Sequence, residues 1–156
     1  MAIEIERKFL LKGNDYRDLA KGIYYHQGYL SSNEQRIVRV RIIGNRGYIA
    51  IKEASIGAAR LEFEYEIPFS DANEILLKLC EKPNIEKYRY KVQIGNLVWE
   101  VDEFHGDNKG LIIAEIELNS EDQTFEKPSW IGEEVTGDPK YYNVNLVKKP
   151  FNTWQV

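Results

Sequence analysis

A regular alternation of apolar and charged residues at the N-terminus is the feature that most constrains the fold. Residues 2–11 alternate with a period of two, which is typical of a β-strand. The apolar face carries Ile3, Ile5, Phe9 and Leu11, and the other face carries Glu4, Glu6 and Lys8. Two carboxylates on one strand face repel each other unless a cation lies between them, and hard divalent metal ions bind carboxylate oxygens. For this strand alone, a solvated face is the alternative.

The same alternation returns along the rest of the chain. We predict eight strands, over residues 2–11, 23–30, 35–43, 48–54, 60–68, 85–94, 97–104 and 111–118. Seven of them carry ionisable residues on one alternating face. The acids of this face are Glu4, Glu6, Glu62, Glu64, Glu100, Asp102, Glu115 and Glu117, and the bases are Lys8, Arg39, Arg41, Lys52, Lys87 and Arg89. A solvated sheet face would contain more Ser, Thr and Gln and would avoid stacking like charges.

Helices are predicted between and after these strands. They cover residues 16–20, a segment from Ser70-Asp71 to about Cys80, and a segment that starts at Asp138-Pro139. In the last of these, Asp is the expected cap and Pro the expected first helical residue. The helix that ends near Cys80 has a buried stripe of Ile75, Leu76 and Leu79. Such helices can cover an apolar sheet face.

Closing the sheet into a barrel would account for a sheet with one apolar face and one charged face. The helices would cover the apolar exterior, and the charges would line a water-filled tunnel roughly 30 Å long. We therefore predict an α+β, mainly β fold: an eight-stranded antiparallel closed β-barrel with a charged interior and helices packed outside. A single domain is expected over residues 1–156, because this length suits one core.

The predicted interior indicates the chemistry of a ligand. Six cations in a confined passage of low dielectric are unfavourable unless an anion fills it. An elongated, multiply charged anion such as polyphosphate fits this requirement. The acids that face it would hold Mg²⁺ or Mn²⁺, which bridge carboxylates to phosphate oxygens.

Composition narrows the partners and the compartment. A net charge of −4 and a pI of about 5.3 do not favour binding to nucleic acid or to an anionic membrane. No signal peptide and no apolar run of membrane-spanning length is visible. One cysteine, Cys80, fits a reducing compartment. We expect a cytoplasmic protein, with a homodimer as one open alternative for its oligomeric state.

The ordered motifs resemble those of a known family. Glu4-Ile5-Glu6-Arg7-Lys8 matches the Glu-x-Glu-x-Lys signature of the CYTH domain, the triphosphate tunnel metalloenzymes. Further motifs follow in the family's order: Gln27-Gly28-Tyr29-Leu30, Arg39-Val40-Arg41, Ile51-Lys52, Leu61-Glu62-Phe63-Glu64, Glu86-Lys87-Tyr88-Arg89, Trp99-Glu100-Val101-Asp102 and Ala114-Glu115-Ile116-Glu117. Residues 130–136 and 141–143 resemble the C-terminal end of compact bacterial members. The resemblance covers essentially the whole chain, and an ordered set is far more specific than one motif.

The resemblance implies a divalent-metal-dependent hydrolase of inorganic tripolyphosphate or a related triphosphate. It implies metal ligands at Glu4, Glu6, Glu115 and Glu117, with Mg²⁺ or Mn²⁺ as the ion. It implies a phosphate cradle of Lys8, Arg39, Arg41, Lys52, Lys87 and Arg89. Further catalytic candidates are Lys8, Tyr29, Glu62, Glu64 and Asp102. Which carboxylate orients the attacking water stays open, and for Tyr29 a barrel-rim position is the alternative to a contact with phosphate.

Other activities of the same family are alternatives. The resemblance also allows an adenylate cyclase, a thiamine triphosphatase or a nucleoside triphosphatase. No sequence feature marks a pocket for a base and ribose. A non-catalytic polyphosphate-binding module is a rival of another class, but binding alone would need only the cations. The retained acids therefore favour an enzyme.

Overall fold

Antiparallel strands dominate the fold, and eight of them close into a ring. The computed structural model describes residues 3–33, 35–53 and 58–154. Its strands are Ile3–Leu11 (β1), Gly22–Asn33 (β2), Arg36–Ile43 (β3), Arg46–Lys52 (β4), Ala59–Ile67 (β5), Ile85–Ile94 (β6), Leu97–Phe104 (β7), Ile112–Glu117 (β8) and Ile131–Glu134 (β9). Its α-helices are Tyr16–Leu19 (α1), Phe69–Lys78 (α2) and Asn143–Lys148 (α3). The predicted strand over 48–54 ends at Lys52, and Ala54 lies outside the described residues.

The ring runs β1-β5-β4-β3-β2-β6-β7-β8 and returns to β1. Every neighbouring pair is antiparallel, and the β1–β5 pair closes the ring. The register places charged residues of opposite sign side by side: Lys8 with Glu115, Lys52 with Glu62, and Arg89 with Asp102. Because side chains alternate along a strand, these pairs share the inner face. The prediction of a mainly β, closed eight-stranded barrel with a charged interior is confirmed.

Helix α2 covers part of the barrel exterior. Its buried residues, Ala72 and Leu76, pack on Val40 and Ile42 of β3. Gly47 lets the helix approach, since an added Cβ there would lie 2.5 Å from the Cβ of Ala72. The helix begins at Phe69, immediately after Pro68, and not at the predicted Ser70-Asp71 cap. Proline fits this start because it lacks the N–H that a helix N-terminus leaves unpaired.

The exterior of β4 and β5 is less covered than predicted. Ile51, Phe63 and Tyr65 point away from the barrel interior and are 49%, 43% and 61% exposed. Helix α2 covers Ile49 and Ile67, and it leaves in solvent Tyr65, which is directly opposite Ile49, and the residues farther from the helix. The exterior is therefore apolar, as predicted, but only partly shielded.

An apolar layer closes one end of the barrel interior. It consists of inward-facing residues from five strands packed against α3 and its flanks: Tyr29, Ile37, Ile85, Phe104, Ile113, Tyr141, Val144, Leu146 and Val147. We call this layer the floor. The sequence predicts a charged, water-filled passage along the whole barrel, and the structure differs because the alternating face changes from charged to apolar on several strands at the same level.

The C-terminal region contains two features that the sequence pattern does not predict. Strand β9 pairs with the end of β1, where Arg7 and Glu134 form an ion pair of 2.6 Å. The predicted helix at Asp138-Pro139 is a single 3-10 turn over Pro139–Tyr141, in which the Asp138 carboxylate accepts a hydrogen bond from the Lys140 amide. Helix α3 begins only at Asn143. Four-residue strands and six-residue helices are too short for a clear periodic pattern.

Within the described ranges, none of the helices has both the length and the apolar character that a bilayer crossing demands.

Candidate active site

The barrel encloses a cavity of about 250 Å³ above the floor. In the described part of the chain, seven basic and seven acidic side chains line it. The bases are Lys8, Arg39, Arg41, Lys52, Arg60, Lys87 and Arg89, and the acids are Glu4, Glu6, Glu62, Glu64, Glu100, Glu115 and Glu117. At the end opposite the floor, Glu100 and Glu117 also line an open groove together with Ile3, Asn96, Leu97 and Asn119. The cavity therefore opens at that end.

A crowded acidic cluster lies toward the open end, on β1, β5 and β8. Glu6 is directly opposite Glu117, and Glu4 is directly opposite Arg60. Arg60 Nε donates to Glu4 Oε1 over 3.1 Å, and Arg60 Nη2 lies 3.9 Å from Glu6 Oε1. Burial, a hydrogen bond with Glu62 and the charge of Glu6 raise the pKa of Glu4 to about 8. The charges of Lys52 and Arg60 are thus too little to offset burial and like charge at Glu4.

The other acids of this cluster also have raised pKa values. The pKa of Glu6 is raised by burial and by the charge of Glu115, and that of Glu117 by burial and by Glu100. Desolvation and like charges both disfavour an ionised carboxyl group. A bound divalent cation would reverse both effects.

Deeper in the cavity, Lys8 and Glu115 form a buried ion pair. Lys8 Nζ lies 2.9 Å from Glu115 Oε2 and 3.4 Å from Glu6 Oε1. Burial alone would raise the pKa of Glu115, but Lys8 and Arg89 outweigh it and lower that pKa well below its ordinary value. Glu115 is therefore a firmly ionised carboxylate, in contrast to Glu4.

Asp102 is on the inner face but is buried against two of the predicted phosphate-binding cations, Lys87 and Arg89. It is 1% exposed and is not among the residues that line the cavity. It accepts hydrogen bonds from Lys87 Nζ at 2.8 Å and from Arg89 Nε at 2.7 Å. Lys87 also donates to Asn143 Oδ1 over 3.0 Å. Burial lowers the pKa of Lys87 to about 8 despite the neighbouring Asp102.

The basic wall on β3 and β4 is paired with acids of β5. Arg39 and Arg41 share Glu64, at 3.0 and 3.1 Å, and Lys52 lies 2.9 Å from Glu62. Burial and the neighbouring Arg39 and Arg60 lower the pKa of Lys52 to about 7. Among the described residues, Nε of Arg39 and Nε of Arg41 are buried without an acceptor. These cations therefore retain unused capacity for an anion.

Tyr29 lies at the border between the charged cavity and the floor. It is 3% exposed, so the rim position considered from the sequence does not hold. Its hydroxyl accepts a hydrogen bond from Gln27 Nε2 over 3.2 Å, and burial raises its pKa. Gln27 Oε1 has no donor within the described residues. Tyr29 can still donate its hydroxyl proton to a ligand.

The structure brings every predicted site residue except Asp102 to the cavity wall. It adds Arg60, Gln27 and Asn143, to which sequence reasoning gave no role. Arg60 could have been found, because it shares the alternating row of Glu62 and Glu64 on β5. Asn143 could not, because no pattern in the sequence places the start of α3 beside the barrel floor.

The donor set fits a hard divalent cation. Carboxylate oxygens of Glu4, Glu6 and Glu117 line the cavity together, and hard divalent ions prefer oxygen ligands. Across the described ranges, no three of these acids, or of His and Cys, already converge into a complete metal site. Magnesium commonly takes one or two carboxylates and completes its shell with water and substrate phosphates. The arrangement therefore fits an ion that binds together with a phosphorylated ligand.

Comparison with known proteins gives a family match and close relatives. The profile of the CYTH domain matches residues 2–149. An inorganic triphosphatase from Acetivibrio thermocellus is 56% identical over 155 residues, which cover 99% of this chain and 99% of that protein. An inorganic triphosphatase from Nitrosomonas europaea is 37% identical over 148 residues, covering 92% and 95%. A crystal structure of an inorganic triphosphatase aligns with a TM-score of 0.64 at 32% identity, covering 94% of this chain and 95% of that one.

Proposed function

The chain belongs to the CYTH domain family, and from this premise we propose that it is a metal-dependent inorganic triphosphatase. It would hydrolyse the terminal phosphoryl group of tripolyphosphate inside the barrel. The observation that carries this proposal is the barrel cavity, in which seven bases and seven acids of the described residues share one wall. The two relatives named inorganic triphosphatase support the choice of substrate. We propose one domain over residues 1–156 and, since its single cysteine is free, a reducing cytoplasm.

The cations form the phosphate cradle in this proposal. Arg39, Arg41 and Lys52 approach from one wall, and Lys87, Arg89 and Lys8 approach from the other. Arginine can fork onto two phosphate oxygens, whereas lysine acts as a point charge. The buried Nε atoms of Arg39 and Arg41 have no acceptor within the described chain, so they can donate to phosphate without breaking an existing bond.

The acids have three roles. Glu4, Glu6 and Glu117, with Glu115 beside them, would hold Mg²⁺ or Mn²⁺, which would neutralise charge on the phosphate oxygens. Glu62 and Glu64 would orient the cradle cations that they contact and are candidates to orient water. Asp102 is a positioning residue, because it contacts Lys87 and Arg89 and does not line the cavity.

The chemistry is in-line attack of water on the terminal phosphorus, with the bridging oxygen as leaving group. The transition state spreads charge over the phosphoryl oxygens, which fixed cations stabilise without having to reorganise. Tyr29, hydrogen-bonded by Gln27 and directly opposite Arg39, would donate a hydrogen bond to an oxygen of the substrate. The water that attacks gives up its proton to a neighbouring carboxylate.

Balanced charge in the cavity favours joint binding of anion and metal. With seven bases and seven acids among the described lining residues, neither a bare anion nor a bare metal ion meets a wall of opposite sign only. A metal–polyphosphate complex carries both positive and negative charge. The lining side chains can exchange their contacts with each other for contacts with the metal ion and the phosphates. This accounts for cations and carboxylates on the same inner face.

Phosphate release from tripolyphosphate tests the proposal. Purified protein should release orthophosphate with Mg²⁺ or Mn²⁺ and none with excess chelator, and Glu6→Gln should be inactive but folded. Full turnover in chelator would refute the metal requirement. Parallel assays with ATP and thiamine triphosphate, and for cyclic AMP, separate the alternatives within the family. Binding of tripolyphosphate without release under any of these conditions would indicate a binding module.

A further inference from the structure

We propose that Arg60 is an internal counter-cation for Glu4 and Glu6 that competes with the divalent metal ion. It would thereby make metal binding depend on the presence of phosphate. This inference rests on the proposed function, because it takes Glu4 and Glu6 as ligands of the ion. It concerns a residue to which the sequence motifs assign no role.

Arg60 is fixed in place by the closure of the barrel. It lies directly opposite Glu4 in the β1–β5 pair that completes the ring. Its Nε is 3.1 Å from Glu4 Oε1, its Nη2 is 3.9 Å from Glu6 Oε1, and its side chain is only 17% exposed. The guanidinium therefore lies between the carboxylates that would bind the metal ion.

The neighbouring cations have their shortest contacts with other acids, although Lys8 Nζ also lies 3.4 Å from Glu6 Oε1. Lys8 is closest to Glu115, at 2.9 Å, and Lys52 is closest to Glu62, also at 2.9 Å. Within residues 3–33, 35–53 and 58–154, Arg60 is the base that forms an ion pair with Glu4. Arg60 is therefore the cation in direct contact with Glu4, whereas Lys52 acts on Glu4 through its charge from a longer distance.

Competition follows from the shared oxygens and from like charge. A metal ion that takes Glu4 Oε1 must displace the hydrogen bond from Arg60 Nε, and it then lies beside a partly buried cation. Both effects weaken metal binding when no anion is present. A phosphate chain in the cavity would accept hydrogen bonds from the displaced guanidinium, and its negative charge would offset the repulsion between Arg60 and the metal ion. By linkage, the metal then strengthens phosphate binding by the same factor.

The affinity of Mn²⁺ in the absence of phosphate tests this competition. Free Mn²⁺ can be measured by electron paramagnetic resonance during titration of wild type, Arg60→Gln and Arg41→Gln. Arg41→Gln is the matched control, because it removes one cavity cation that contacts Glu64 and neither Glu4 nor Glu6. We expect Arg60→Gln to bind Mn²⁺ about tenfold more tightly than wild type, and Arg41→Gln to differ by less than about threefold.

Each outcome is decisive. Equal affinities of the two variants, or weaker binding by Arg60→Gln, would overturn the role of Arg60. If Arg60→Gln does not fold, Arg60→Lys replaces it: the shorter side chain cannot reach both carboxylates, so we expect about threefold tighter binding, and unchanged affinity overturns the role. Absence of Mn²⁺ binding by wild type and all variants would instead refute the proposed metal site, and the competition with it.

Discussion

Ionisable groups in the barrel are buried as mixed networks and not as isolated pairs. Asp102 is held by Lys87 and Arg89, and Glu64 is shared by Arg39 and Arg41. A buried charge is strongly unfavourable unless it is paired and hydrogen-bonded, so each link in such a network depends on its neighbours. Single substitutions in the cavity should therefore have larger effects than the same changes at its edge.

Arg39→Ala and Lys91→Ala provide this comparison. Arg39 is 7% exposed, whereas the Lys91 side chain is 58% exposed and lies 3.8 Å from Glu100. Loss of a charge-assisted contact should raise the Kd for tripolyphosphate by roughly ten- to a hundred-fold in Arg39→Ala. Lys91→Ala should change it by less than about threefold, because solvent screens the lysine. Calorimetric titration measures both, and equal effects would contradict an enclosed phosphate site.

The alternation of charge predicts which side chains face inward, and this is why most of the candidate cavity wall could be found without a structure. It does not predict which of these charged side chains contact each other. Asp102 alternates inward on its strand as the lining acids do on theirs. Its carboxylate is nevertheless buried against Lys87 and Arg89 and does not line the cavity. The depth of a residue depends on register between strands that are distant in sequence, which the sequence of either strand does not contain.

At the scale of elements, the strands were predictable and the pieces that seal the barrel were not. Long strands with a repeated period of two leave a clear pattern. Strand β9 and helix α3 are short, and their positions depend on contacts across the chain: the Arg7–Glu134 ion pair for β9 and the buried floor for α3. Such tertiary contacts leave no local signal.

The floor should contribute more to stability than an exposed helix face. Leu146 of α3 is fully buried, whereas Leu77 of α2 is 58% exposed. Leu146→Ala should lower the free energy of unfolding by about 2–5 kcal/mol, because it leaves a cavity as well as losing buried apolar area. Leu77→Ala should change it by less than about 0.5 kcal/mol. Urea denaturation measures both; similar values would mean that α3 does not close the barrel.

At the scale of the whole molecule, burial and like charges inside the barrel disfavour the ionised forms of several groups. Burial and like charges raise the pKa of Glu4 and of Glu6, while burial lowers the pKa of Lys52 and Lys87. Each of these shifts opposes the charged form. Stability should therefore respond both to pH and to ligands that satisfy the charges.

Between pH 4.5 and about 8, Glu4 should destabilise the metal-free protein as pH rises. Its carboxyl group has a pKa of 4.5 when unfolded and about 8 when folded, so the folded state binds more protons in this window. Burial lowers the pKa of His26, which acts in the opposite direction. Glu4→Gln isolates the effect, and its melting temperature should fall less with pH than that of wild type. Identical slopes in chelator would contradict the raised pKa.

Tripolyphosphate should stabilise the fold when a divalent metal that does not support turnover is present. A ligand at a hundred times its Kd stabilises by about 2.7 kcal/mol, and at this size each kcal/mol shifts the melting temperature by roughly 2–4 °C. Differential scanning fluorimetry should therefore show a rise of several degrees. Orthophosphate at equal concentration should give a much smaller rise, because it reaches only part of the cradle. An equal response to the two would contradict an elongated site.

The floor also limits entry and exit to one end of the barrel. One end is sealed by packed apolar side chains and the other is open beside Glu100 and Glu117, so under the proposed function a linear polyphosphate would enter by its terminus and would not pass through the barrel. Any units beyond the length of the cavity would stay in solvent, which would confine cleavage to chain ends. Both fragments of one turnover would then leave through the entrance. The fragment nearer the entrance would leave first, so the shape of the barrel would set the order of product release.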